Sequence, residues 1–286
     1  MEINVRTDLA SEAHRLWKGS AERTAALSGV EAKEERLRGL PVTAVRILNE
    51  EGARALGKPP GRYYTLELTR FPGRCEEAFP AAAQALAELI RRCLPEGGAP
   101  SALVAALGNP DITPDALGPL CAESVLVTRH LKESGQALFS SFASVAVCRT
   151  GVLGSTGAES ALQVHALVRA LRPACVLAVD ALAGADASRL CRTVQVCSSG
   201  IAPGSGVGND RERLDAESLG VPVVALGVPT VIDASLFSAE PALRGLFVTP
   251  RGIDETVRRA ARLIGSAVNL ALHGELALDD LDALLE

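Results

Sequence analysis

Apolar and polar positions change rhythm near residue 100 of this 286-residue chain. Beyond the break Pro95-Glu-Gly-Gly-Ala-Pro100, short runs rich in Val, Leu and Ala recur at 102–107, 124–127, 142–148, 174–179, 193–197 and 222–227. They show little alternation, as expected of strands buried on both faces of a parallel sheet. Helical stretches separate them, and a long helix is predicted over 255–273. The pattern predicts an open, parallel-rich α/β sheet flanked by helices. Ahead of the break, residues 9–27 read as a helix with polar residues throughout, and 76–94 as an Ala- and Leu-rich helix. Residues 42–48 and 62–69 are β-rich, and the second run alternates apolar and polar. The turn cluster Gly57-Lys-Pro-Pro-Gly61 separates them. The reading is a β-containing N-terminal α/β subdomain at 1–98 and a larger α/β core at 99–286, with one continuous domain as the alternative.

Composition narrows the function classes. At 48% hydrophobic and 22% charged residues the chain has the makings of a full core. The net charge of −5 and the absence of a basic stripe argue against direct nucleic-acid binding. Aromatic residues, at 3%, are too sparse for a base-stacking platform. The seven cysteines form no C-x-x-C and lie mostly in or beside apolar runs, so buried, reduced thiols are expected. No secretory signal and no membrane-length apolar run is visible, and a cytoplasmic protein without membrane partners is expected.

In open α/β sheets ligands bind beyond the carboxyl ends of the strands. After 102–107 comes Gly108-Asn-Pro-Asp-Ile-Thr113-Pro114-Asp115. Thr113 fits a helix N-cap and Pro114 the first helical position, which puts Asp115 in the first turn. There it is either a helix-start acid or a functional carboxylate. After 174–179 comes Asp180, a carboxylate at the end of an apolar strand. It is either a cap for the next turn or a functional group, since a charge there is costly unless paired. If the two share a pocket, one is pushed toward the neutral acid while the other stays a base, an arrangement suited to water attack on an amide. The loop Pro203-Gly-Ser-Gly-Val-Gly-Asn209 offers backbone N–H groups for an anion, or is simply a tight turn. Thr156 and Glu159 have capping-box spacing and read as structural, as does His165. Arg129 and His130 follow the short run at 124–127 and are secondary candidates for touching substrate. No zinc spacing, Ser elbow or local Cys signature appears, and neither metal nor cofactor is expected.

The segments Val5-Arg-Thr-Asp-Leu-Ala10, Ile47-Leu-Asn-Glu-Glu-Gly52, Leu107-Gly-Asn with Thr113-Pro-Asp-Ala-Leu-Gly-Pro119, and Val127-Thr-Arg-His-Leu131 resemble the germination protease family of spore-forming bacteria. So do Val179-Asp-Ala-Leu-Ala183, Gly200-Ile-Ala-Pro-Gly-Ser-Gly-Val-Gly-Asn209, Gly227-Val-Pro-Thr-Val231 and Asn269-Leu-Ala-Leu-His273, in order over nearly the whole chain. The resemblance implies an endopeptidase that initiates degradation of small acid-soluble spore proteins at germination, in the forespore or spore core. It implies an atypical aspartic mechanism on a fold similar to hydrogenase maturation proteases and related to phosphorylases. The family's two essential aspartates fall on Asp115 and Asp180. A homotetramer and a self-trimmed zymogen are implied as well. The chain departs from the family in three places. Only Met1-Glu-Ile-Asn4 precede Val5, so self-processing is expected to remove few residues. Typical members carry an insertion between Ala234 and Val248. Ser198-Ser199 stands where they have an acid-threonine pair. Sheet-edge acids and a Gly-rich loop also suit a nucleoside phosphorylase or hydrolase, and the same fold suits a non-catalytic protein-binding scaffold.

Overall fold

The computed structural model describes residues 7–19, 27–208, 211–238, 240–274 and 276–285. The leader Met1–Asn4, the motif residues Val5 and Arg6, Asn209 and positions 20–26 of the expected first helix lie outside the described residues. The strands are β1 (Val30–Leu37), β2 (Leu40–Ile47), β3 (Gly61–Glu67), β4 (Ser101–Leu107), β5 (Ser144–Gly151), β6 (Cys175–Gly184), β7 (Thr193–Cys197), β8 (Val223–Asp233) and β9 (Phe247–Val248). The longer helices are α1 (Ala10–Gly19), α2 (Glu50–Leu56), α3 (Ala78–Cys93), α4 (Leu117–Ala122), α5 (Arg129–Glu133), α6 (Leu153–Thr156), α7 (Ser160–Leu171), α8 (Ala216–Leu219), α9 (Ile253–Leu272) and α10 (Leu278–Leu285).

All strands join one nine-stranded sheet in the order β1-β2-β3-β7-β8-β6-β4-β5, with β9 added to β8. The expected α/β architecture is present, with a mixed sheet. The β8-β6-β4-β5 block is parallel, whereas β7 runs antiparallel to both β3 and β8. An apolar run buried on both faces carries no record of its direction, so the sequence pattern leaves β7 undetermined. The sheet runs without a break from the strands before residue 98 to those after it, through the β3–β7 pairing.

Four other elements differ from expectation. β1 was not visible in the pattern because it is a charged edge strand, Val-Glu-Ala-Lys-Glu-Glu-Arg-Leu, held to β2 by a tight turn. Arg38 and Gly39 both take positive φ in that turn, 54° and 81°, as a two-residue hairpin demands. The run at 124–127 is not a strand. The Asn269 side chain of α9 takes the place of a neighbouring strand there, accepting from the Leu126 N–H at 2.8 Å and donating to the Ser124 carbonyl at 2.7 Å. β6 and β8 run several residues beyond their predicted ends.

One face of the sheet packs against α3, α4 and α9 through a large apolar cluster that includes Leu66, Val104, Leu177, Val179, Val196 and Leu226. The other face carries two separate clusters, one under α7 with Leu103, Ala105 and Ala178, the other under α1 and α2 with Val45, Tyr63 and Cys197. The gap between those two clusters positions the site. Five cysteines are buried and all seven are free. Among the described residues no helix is long and apolar enough to cross a membrane.

Candidate active site

A cavity of about 1330 Å³ opens in that gap, lined by Leu182 of β6, Gln195 and Cys197 of β7, Ala225 and Gly227 of β8, and Tyr63 of β3. Asp180 sits opposite Gly227 in the parallel register. Side chains two apart on a strand, and paired residues of neighbouring strands, share a face. Asp180 therefore points to the cavity face, beneath the lining. It lies inside β6 rather than after it, as the sequence pattern had suggested. β4 stops pairing with β6 at Val179, but β8 accompanies β6 to Gly184. The carboxyl end of the strand and the point where its neighbour leaves are thus different places, and Asp180 marks the second.

Asp115 arrives from the turn after β4. Thr113–Asp115 form a single 3-10 turn ahead of α4. Thr113 is not the expected cap; its hydroxyl donates to Asp254 at the start of α9, at 3.0 Å. The Asp115 carboxylate accepts the Asn109 N–H at 2.8 Å. Gly108 makes that loop feasible: its φ is +109°, and a Cβ would lie 2.0 Å from the Asp115 carbonyl oxygen.

Electrostatics separates the two acids. Asp180 is 5% exposed. Burial first, then the charges of Asp115 and Asp8, push its carboxyl well above the ordinary range, against one bond from the Ala181 N–H. Asp115 is less buried; desolvation raises it, while the Asn109 N–H and the Arg211 charge oppose the rise. Both carboxyls are thus raised, Asp180 strongly by burial and its acidic neighbours, Asp115 by burial against the opposing Asn109 N–H and Arg211 charge.

The structure adds residues that the sequence pattern did not single out. Asp8 accepts the Ala183 N–H and the Ser205 hydroxyl, each at 2.9 Å, and its own N–H donates to the Ala183 carbonyl at 3.0 Å. Gln195 bridges the start of α1, accepting from the Ala10 N–H and donating to the Asp8 carbonyl. Lys58, in the turn after α2, brings its ammonium to 4.0 Å from Asp8. Burial lowers its pKa, with Asp8 pulling the other way. Asp8 lies within a motif that carried the family resemblance; Lys58 had only its turn cluster. The Gly-rich loop forms a 3-10 turn at Ser205–Val207. A Cβ on its Gly206 would meet the Asp8 carboxylate at 2.1 Å, so that glycine serves a close approach to Asp8.

Arg129 and His130 are not brought to this site. Thr128, just before them, bonds Val145 and Ala143 at the start of β5, the opposite end of the parallel block. Arg129 pairs with Glu133 at 2.7 Å, and His130 is exposed. Thr156 and Glu159 do not form a capping box: Glu159 precedes α7 without capping it and instead binds Arg211 at 3.0 Å. His165 faces Glu212 at 3.6 Å.

The fold and site define an α/β protein with an open mixed sheet, two interacting carboxylates, and a cavity over its central strands whose lining includes neither acid. A family model described as germination protease matches residues 7–242. A germination protease of Clostridium perfringens is 36% identical over 328 aligned positions, covering 99% of both chains. One from Caldanaerobacter subterraneus is 36% identical, covering 99% of this chain and 98% of the relative. One from Bacillus cereus is 41% identical, covering 82% of this chain and 64% of the relative. The chain belongs to the germination protease family. It is a germination-related peptidase, which does not favour the phosphorylase or scaffold readings.

Proposed function

We propose that this chain is an endopeptidase that cleaves small acid-soluble spore proteins at germination, with Asp115 and Asp180 as its general base and general acid. The observation that carries the reading is the asymmetry of the pair: Asp180 is buried and driven well toward its neutral form by desolvation and by Asp115, while the rise that desolvation causes in Asp115 is opposed by the Asn109 N–H and Arg211. Asp115 takes a proton from a water molecule, whose oxygen bonds to the scissile carbonyl carbon. Asp180 gives its proton to the substrate as the C–N bond breaks, so the amine leaves neutral. Because the two acids interact, their titration belongs to the pair. The cavity floored by Leu182 and Gly227 is the place for the substrate chain.

Location in the forespore or spore core, assembly as a homotetramer and self-trimming at the N-terminus belong to the same proposal. They rest on the family resemblance, and light scattering and N-terminal readout of the purified protein check the last two.

The central test is incubation with a small acid-soluble spore protein and mass spectrometry of the fragments. Asp115→Asn and Asp180→Asn are each expected to reduce cleavage by at least ~10²–10⁴-fold, the usual size of general acid–base help. The double variant should be little worse than either single one, because the pair acts as a unit. Asp111→Asn is expected to be mild: Asp111 is exposed, and it is its backbone N–H, not its carboxylate, that bonds the Asn109 side chain. Near-normal cleavage by either the Asp115 or the Asp180 variant overturns the mechanism.

A further inference from the structure

We propose that Asp8 is a positioning residue for the aspartate pair, a third carboxylate that fixes β6 just beyond Asp180 and holds a negative charge beside it. This rests on the catalytic reading of Asp115 and Asp180 and names a further residue for the same reaction.

The geometry starts from β6. Its pairing with β4 ends at Val179, one residue before Asp180. Past that point the N-terminal segment takes over. Asp8 gives its N–H to the Ala183 carbonyl and takes the Ala183 N–H on its carboxylate, so its main chain and side chain together do what a neighbouring strand does. Glu12 continues the contact by accepting the Ala185 N–H at 2.7 Å. Asp180 therefore lies between two clamped stretches of the strand. Gln195 and Gly206 seat the segment: Gln195 holds the Asp8 carbonyl, and Gly206 leaves the space that the Asp8 carboxylate fills. That is more fixing than one surface aspartate needs to cap a turn.

The charges around it are arranged asymmetrically. Asp180 faces Asp115 from the 3-10 turn and Asp8 from the N-terminal segment, and both favour its protonated form. Asp8 faces Lys58 from the turn after α2 and the Ser205 hydroxyl from the Gly-rich loop. Glu12, Cys197 and Arg213 stand around Lys58, and Arg211 acts on Asp115. Removing the Asp8 charge weakens the hold on the Asp180 proton. Removing Lys58 leaves Asp8 unopposed and strengthens it. The two substitutions therefore act in opposite directions, which a purely structural tether does not do.

The test is the pH dependence of kcat for cleavage of a small acid-soluble spore protein by the full chain, compared with its Asp8→Asn and Lys58→Met variants. Activity at high pH is lost when the general acid ionises. Asp8→Asn is expected to lower kcat about tenfold or more with KM little changed, and to move the basic limb down by roughly half a pH unit or more. Lys58→Met is expected to move that limb up. Asp115→Asn and Asp180→Asn are assayed in parallel. If both are inactive while the Asp8 and Lys58 limbs superimpose on the parent, this proposal is overturned and the aspartate pair stands. If Asp180→Asn remains active, the acid on which Asp8 acts is absent and both readings fall. Should Asp8→Asn fail to fold, the direction of the Lys58→Met limb decides alone: upward supports the proposal, unmoved or downward overturns it.

Discussion

Gly227 lies directly opposite Asp180 in the register of β8 on β6, and a Cβ at 227 would sit 2.9 Å from the Asp180 carbonyl oxygen and 2.5 Å from Leu182 Cγ. The glycine leaves the space that the Leu182 side chain fills and lets β8 lie close against the Asp180 carbonyl. Gly227→Ala should therefore act on chemistry more than on folding. Leu182 has to swing away, and the backbone at Asp180 has to give by several tenths of an ångström. Overpacking of this kind usually costs about 1–3 kcal/mol. Activity should fall by on the order of tenfold or more, because displacements well under 1 Å matter at a reacting centre. Thermal melts and cleavage rates of the same preparation check both parts; a variant with full activity and an unchanged melt would show that the close approach has no consequence.

Asp180 also leaves a signature in stability. Burial and its two acidic neighbours raise its folded-state pKa above the unfolded 3.8. In the window that begins near 3.8 and extends up to the raised value, the folded state binds more protons than the unfolded one. Stability from this group is therefore full below the window and falls as pH rises through it. Asp180→Asn cannot ionise and escapes that loss. The variant is expected to gain on the parent in melting temperature between pH 4 and pH 7 while losing activity. A constant difference across that range would mean that the carboxyl is not held neutral.

His273 works in the opposite sense. It is 4% exposed, packs its ring 5.1 Å from Phe142, and among the described residues neither ring nitrogen has a hydrogen-bond partner. Burial lowers its pKa to about 4, against a smaller favourable influence from the Leu126 backbone. Between the unfolded value of 6.5 and about 4, the unfolded chain binds the extra proton, so stability falls as pH falls through this window and levels off below it. At about 1.4 kcal/mol per unit the whole effect is on the order of 3 kcal/mol. His273→Leu should remove it, so the variant's melting temperature should gain on the parent's from pH 7 to pH 4. Parallel curves would argue against a neutral buried imidazole.

What the sequence pattern revealed follows from what periodicity encodes. The buried strands β4, β6 and β8 and the helix α9 were visible because long apolar runs and 3.6-residue periods are local properties. Asp115 and Asp180 stood out because a carboxylate next to an apolar strand needs a reason. Strand direction at β7, the true end of β6 and the fate of 124–127 were not visible, because each depends on a partner far along the chain: β3 and β8, Asp8, and Asn269 in turn. Lys58 was hidden for the same reason. Nothing in Gly57-Lys-Pro-Pro-Gly61 says that its ammonium will be brought beside a carboxylate fifty residues earlier.

Asn269 is the most exacting of these distant partners, and its removal gives the last prediction. It is fully buried on α9 and satisfies two backbone groups of an irregular segment, the Leu126 N–H and the Ser124 carbonyl. Asn269→Ala leaves the buried Leu126 N–H and the part-buried Ser124 carbonyl without their partner. An unsatisfied buried polar group costs about 1–3 kcal/mol, so the pair should cost roughly 2–5 kcal/mol. For a chain of this size that lowers the melting temperature by on the order of 5–15 °C. Asn269→Asp should be no remedy. Ionised, it retains an acceptor for Leu126 but has no donor for Ser124, and held neutral so that its O–H can donate, it loses stability as pH rises above the ordinary carboxyl range. Gln is one methylene longer and has no room in a core where Gly265, one turn earlier on α9, already packs so closely that a Cβ would meet Ser124 Cβ at 2.6 Å. Asp115 and Asp180 belong to other elements, so activity per folded molecule should be retained at low temperature in the Ala variant. Denaturant melts together with active-site titration check this; an unchanged midpoint would mean that the segment finds other partners for its backbone.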